Sequence, residues 1–250
     1  MEMFLTALGI GGATVFGALL GFIFKKTSHT FSDIVLSFAA GVMLAASVIG
    51  LILPSLSYGG DLAILIAIAG IFAGAFCISI LDKCVPHLHK LTGVDLEKHP
   101  DKTEQLNKVL LFVIAIAIHN LPEGIAAGVG FGAGNNTNAF LIAGGIALQN
   151  IPEGMVIIAP MLSVGMSKTR TFLIALITGF VEVLGTALGY FAVSISSTIL
   201  PFALAFAGGT MLYVIGDEMI PETHSHGHER SATYALLVGF CLMLLLDFLL

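Results

Sequence analysis

Apolar residues run through this chain in blocks of about 20, the length a helix needs to cross the hydrocarbon of a bilayer. The blocks fall near 4–24, 33–53, 61–81, 108–131, 139–160, 171–192, 197–219 and 232–250, and they predict eight membrane-spanning helices. The intervals between them are short, apart from residues 82–107, whose Lys, His, Asp and Glu predict a solvated loop between spans three and four. Residues 1–250 therefore read as a single polytopic domain. The first block has neither a basic leader nor a small-residue cleavage site, so a retained helix is expected there.

Composition points the same way. Hydrophobic residues make up 57% of the chain and the mean hydropathy is +1.00, beyond what a soluble fold of 250 residues needs for its core. Charged residues are only 10%, so the net charge of −6 belongs to the loops, and no broad basic surface is left for nucleic acid. Cys77, Cys84 and Cys241 show no paired spacing, which argues against a disulfide framework or a zinc finger. The 29 glycines suit close helix packing in lipid.

Charge also orients the chain, because Lys and Arg are retained on the cytoplasmic side. Lys25 and Lys26 follow span one, Lys83, Lys90, Lys98, Lys102 and Lys108 border the long loop, Lys168 and Arg170 follow span five, and Arg230 follows span seven. All ten basic residues thus fall on one side of an eight-helix path. That side is the cytoplasm of a cell (inner) membrane, and both termini lie outside it.

Ionisable groups at membrane depth need a reason, since each costs about 2.5–3.5 kcal/mol at a helix centre on insertion scales. Span four carries His119-Asn120-Leu121-Pro122-Glu123-Gly124, and span five repeats the theme as Gln149-Asn150-Ile151-Pro152-Glu153-Gly154. Residues three and four apart share a helix face, so His119, Asn120 and Glu123 form one polar patch, and Gln149, Asn150 and Glu153 another. Pro122 and Pro152 cannot donate to the carbonyls of Ile118 and Leu148 and tend to bend the helix there. The short link 132–138 makes the two spans antiparallel neighbours, which lets imidazole, carboxylates and amide oxygens meet. That is a ligand set for a divalent metal. Glu182 brings a third carboxylate from span six, and three crowded carboxylates call for a dication to neutralise them. A single intramembrane Glu or His often serves packing alone; the duplicated motif is far more specific.

At these residues the chain resembles the Zrt/Irt-like (ZIP) family of divalent metal transporters, particularly its bacterial, GufA-like branch, over essentially its whole length. The resemblance implies an all-α integral membrane fold with eight transmembrane helices in two pseudo-symmetric halves around a central antiparallel helix pair. It implies transport of divalent metal into the cytoplasm by alternating access, with zinc as the first substrate and cadmium, iron and manganese also compatible. His119, Asn120, Glu123, Gln149, Asn150, Glu153 and Glu182 would line the transport site, with Glu123 and Glu153 bridging. It further implies a homodimer in the lipid bilayer and no prosthetic group. Some members have His or Asp where this chain has Gln149 and Asn150, so a weaker or mainly structural second metal site is expected here.

Further polar residues suggest a route towards the cytoplasm: Asp82, His87 and His89 in the long loop, Asp217 and Glu218 near the end of span seven, then His224, His226 and His228. Asp247, late in span eight, reads as a packing residue or an outer ligand. Met43 and Ser47 share a face of span two, where packing is the expected role. Two other classes of function remain open at this level. An intramembrane metalloenzyme has the His119/Glu123 pair but lacks a His-Glu-x-x-His signature, so no enzyme is expected; a metal-gated channel differs from a carrier only in its kinetics.

Overall fold

Water does not reach the middle of an apolar block in a bilayer, so the backbone N–H and C=O groups there must pair within the segment, and a helix does this for one continuous stretch. The computed structural model describes residues 2–24, 28–84, 102–134 and 136–249, and among them every regular element is helical. In order these are α1 (Glu2–Ile23), α2 (His29–Ala45), α3 (Leu53–Tyr58), α4 (Ala63–Cys84), α5 (Lys102–Gly132), α6 (Asn136–Val156), α7 (Ile158–Ser163), α8 (Lys168–Ile195), α9 (Leu200–Val214), α10 (Ile220–Thr223) and α11 (Glu229–Leu249).

Among the described residues, seven segments are long and apolar enough to cross a membrane: Glu2–Ile23, Thr30–Tyr58, Gly60–Leu81, Thr137–Ser163, Lys168–Ile195, Leu200–Thr223 and Glu229–Leu249. The chain is a multi-pass helical membrane protein. Helix α5 adds 31 residues, which at about 1.5 Å per residue also exceeds a hydrocarbon thickness of about 30 Å. It begins at Lys102, so the polar connection after α4 ends earlier than residue 107.

Local sequence explains several element boundaries. The Ser28 hydroxyl accepts from the Phe31 N–H at 3.2 Å and caps α2, and Ser167 caps α8 through the Arg170 N–H at 3.4 Å. Gly134, with φ 76°, turns the chain between α5 and α6 in a conformation that a side chain would strain. Helices α5 and α6 continue unbroken through Pro122 and Pro152.

Two other prolines follow wide turns that the hydropathy pattern does not announce. The segments Ala46–Ile52 and Ile215–Met219 are π-helical, and Pro54 and Pro221 follow their last residues by two, as the second residues of α3 and α10. Pro54 has no N–H for the carbonyl of Gly50, and the Asn138 side-chain amide donates to that carbonyl instead at 3.1 Å. A polar residue at the start of α6 thereby satisfies a backbone group in the second rod.

The rods pack in pairs. Helix α5 lies along α8, α1 along α6, α4 along α9 and α2 along α11, while α1 also meets α8. The first two pairs come together through glycine. A Cβ at Gly124 or Gly128 would collide with the α8 backbone at Glu182 or Thr186, and one at Gly17 or Gly154 with the facing backbone at Ile151 or Thr14. The main core joins Ile10, Ala39, Met43, Ala126, Ile142, Ile146, Leu204 and Met211 from five of the rods. Ser47 spends its hydroxyl on the Leu44 carbonyl at 2.9 Å, so Met43 and Ser47 both act in packing. Large apolar side chains such as Phe72 and Phe76 on α4, and Tyr234 and Phe248 on α11, point outward, as suits a lipid solvent.

Candidate metal centre

The polar patches of α5 and α6 stand where these helices are held against α8 and α1. Gly124 and Gly154, which close the two Pro-Glu-Gly runs, leave no room for a Cβ against the backbone carbonyls of Glu182 and Thr14. With no side chain to separate the rods, the residues just before each glycine are carried into the interior. Asn120, Glu123, Gln149, Asn150, Glu153 and Glu182 are all buried.

Glu182 is the hub of the hydrogen bonding. Its Oε1 accepts from the Thr14 hydroxyl at 2.5 Å and from Asn120 Nδ2 at 2.7 Å, and its Oε2 accepts from Asn150 Nδ2 at 2.5 Å. Each amide nitrogen has a second acceptor, the Thr178 carbonyl at 3.2 Å for Asn120 and the Ile10 carbonyl at 3.4 Å for Asn150. Four helices, α1, α5, α6 and α8, thus meet at one carboxylate. Such charge-assisted bonds offset the desolvation of a buried anion.

The acceptors on the far side of these groups are differently placed. Asn120 Oδ1, Asn150 Oδ1, Gln149 Oε1 and Glu123 Oε2 are buried with no hydrogen-bond partner among the described residues. Glu123, Glu153 and Glu182 interact electrostatically with one another, and His119 with Glu153. His119 also turns its Nε2 to Glu218 Oε1 at 2.9 Å, with both side chains mostly covered. Among the described residues no group of three His, Cys, Asp or Glu makes a cage by itself. The Glu182 carboxylate faces amide donors, and the unpartnered oxygens of the patch include those of Asn120, Gln149 and Asn150.

The outlying candidates are dispersed. Glu218 belongs with His119 rather than to a separate route, while Asp217, four residues before Pro221, is exposed. His224 is tied to the end of its own rod, Nδ1 lying 2.9 Å from the Ile220 carbonyl and Nε2 3.1 Å from the Thr233 hydroxyl. His226 meets Asp33 of α2 at 3.0 Å. His228 and Asp247 are exposed. The side chain of Asp82, and His87 and His89 entirely, lie outside the described residues.

Three participants escape a reading by motif: Thr14, the Glu218 contact to His119, and Asp33. For Thr14 a signal exists. Gly11, Thr14, Gly17 and Gly21 in α1 have the same spacing as Gly179, Glu182, Gly185 and Gly189 in α8, so Thr14 occupies the place of Glu182. The match extends to contacts. Gly17 abuts the carbonyl of Ile151 and Gly185 that of Leu121, while Gly21 abuts that of Met155 and Gly189 that of Ile125. Asp33 and Glu218 have no comparable pattern, since their partners lie 193 and 99 residues away.

Comparison with known proteins adds to this geometry. A family model described as ZIP Zinc transporter matches residues 89–247. The chain is 38% identical to a protein named Zinc transporter GufA from Myxococcus xanthus, over 95% of this chain and 94% of that one. It is 38% identical to Zinc transporter ZIPB of Bordetella bronchiseptica, over 94% of this chain and 77% of that one. Zinc transporter ZupT of Chlorobaculum parvum is 32% identical over 93% and 91% of the two chains.

Proposed function

This chain belongs to the ZIP zinc transporter family, and on that footing we propose that it carries zinc into the cytoplasm by alternating access through the buried patch of α5 and α6. It is a transporter of divalent metal. The observation that carries the siting is the set of buried oxygens on Asn120, Glu123, Gln149 and Asn150 that have no hydrogen-bond partner among the described residues. Buried acceptors are normally paired, and a cation is the partner that satisfies several oxygens at once.

In this reading His119, Glu123 and Glu153 supply the strongest donors, and the amide oxygens complete the shell. Mixed nitrogen and oxygen ligands hold zinc without the closed thiolate cage of a structural site, which suits a group that must let its cargo go. Glu218 would take part in that release: it competes with metal for His119, and it lies nearer the side where the basic loops collect. Release to that side corresponds to uptake, with both termini outside the cytoplasm of an inner membrane.

The architecture we propose is eight spans, α5 supplying the one beyond the seven, in two pseudo-symmetric halves about the α5–α6 pair. Its support is the repeated spacing in α1 and α8 and the matched pairings α1 with α6 and α8 with α5. The two π-helical segments, each just before a proline, repeat in the second and seventh rods. Helices α1, α5, α6 and α8, joined at Glu182, would move as one body against the others, as in inverted-repeat carriers. The outward apolar faces of α4 and α11 leave room for a homodimer within the membrane.

The test is zinc flux into proteoliposomes. Wild-type protein should give saturable uptake and Glu123→Ala should abolish it, with the variant still folded by its thermal melt in detergent. Unsaturable flux at channel rates would overturn the carrier reading. Retained zinc with no flux would point to a sensor or an enzyme instead.

A further inference from the structure

Thr14 lies outside both Pro-Glu-Gly motifs, yet its hydroxyl is one of three donors to Glu182, and it is 1% exposed. Its place in α1 matches that of Glu182 in α8, so the repeat puts a small hydroxyl opposite a carboxylate at the centre of the molecule.

Asn120 Nδ2 faces two acceptors, Glu182 Oε1 and the Thr178 carbonyl, and Asn150 Nδ2 faces Glu182 Oε2 and the Ile10 carbonyl. Turning either amide over would put oxygen against oxygen at both contacts, so nitrogen must face Glu182. The carbonyl oxygens of Asn120 and Asn150 are thereby held pointing away, and these are two of the buried oxygens without a partner among the described residues. Glu182, together with the Thr178 and Ile10 carbonyls, fixes which end of each amide the cargo meets.

We infer that Thr14 is a positioning residue for the metal site, acting through Glu182. Its hydroxyl sets the rotation of the Glu182 carboxylate; the carboxylate holds the amide nitrogens of Asn120 and Asn150; and the two amide oxygens are presented to the cation. On this account Glu182 orients the amide ligands through the hydrogen bonds its two oxygens accept. Groups that orient metal ligands through a hydrogen bond commonly change affinity by about 10–100-fold when removed. The inference rests on the siting proposed above.

The experiment measures zinc uptake into proteoliposomes and zinc binding by calorimetry on detergent-solubilised protein. Thr14→Val keeps the shape and removes the donor: KM and Kd for zinc should rise about tenfold, while the maximal rate per folded molecule stays within about twofold. Thr14→Ser restores the hydroxyl and should return both constants to about the wild-type value. Glu182→Gln should weaken binding to a similar extent, and Thr14→Val added to it should weaken binding no further, since the two act in one chain of contacts. Wild-type KM and Kd in Thr14→Val would overturn the inference, and so would losses that multiply in the double variant. A purely structural Thr14 would lower the melting temperature and leave KM unchanged. If wild-type vesicles take up no zinc, the functional reading fails, and the binding arm still decides the case of Thr14.

Discussion

In the proposed site, the two amide residues of α6 lower the negative charge. Gln149 and Asn150 put neutral oxygens where a carboxylate would add a negative charge, and the Asn150 nitrogen is already engaged with Glu182. Asn150→Asp should therefore act in two ways, adding an anionic ligand and removing a donor from Glu182. Calorimetry should show tighter zinc binding or a second bound equivalent; unchanged affinity and stoichiometry would refute this. His119 was legible as a residue that needs a partner, because an imidazole at mid-depth is costly alone. Its contact with Glu218 was not, because 99 residues separate the two and no periodicity links them.

Among the helices, the contacts that matter are backbone to backbone. A Cβ at Gly124 would press on the carbonyl of Glu182, whereas one at Gly144 meets nothing within 4 Å. Overpacking of this kind costs about 1–3 kcal/mol. Gly124→Ala should lower the melting temperature in detergent and raise the KM for zinc, because it moves α8 and with it Glu182. Gly144→Ala should leave both alone. The apolar blocks announced the helices, and α5 and α6 continue through their internal prolines. The π-helical turns before Pro54 and Pro221 were not legible, since they leave the apolar pattern unchanged. Asn138 shows the consequence at Gly50: Asn138→Leu would leave that carbonyl without its side-chain donor, a loss of about 1 kcal/mol, read as a lower melting temperature.

For the whole molecule, the proposed uptake runs towards the side on which the basic loops lie, and the membrane potential favours it. A dication moving through a potential of 100 mV, negative inside, gains about 4.6 kcal/mol, twice the value for one charge. Zinc uptake by right-side-out proteoliposomes should therefore speed up when a potassium-diffusion potential, negative inside, is imposed. An uptake rate indifferent to the potential would argue for compensating ion movement. A competition series with cadmium, iron and manganese in the same vesicles should rank the substrates, with zinc the strongest competitor.

Sequence alone determined that the chain lies in a membrane, roughly where its helices run, and which side chains are polar at depth. These are local consequences of desolvating backbone and charge, so they can be read within a window of 20 residues. Tertiary structure decided how the polar groups face one another: Glu182 turned to three donors, Thr14 among them, His119 turned to Glu218, and amide oxygens left buried at the centre. Those arrangements depend on which rods touch and how closely their glycines let them approach. No single helix carries that information.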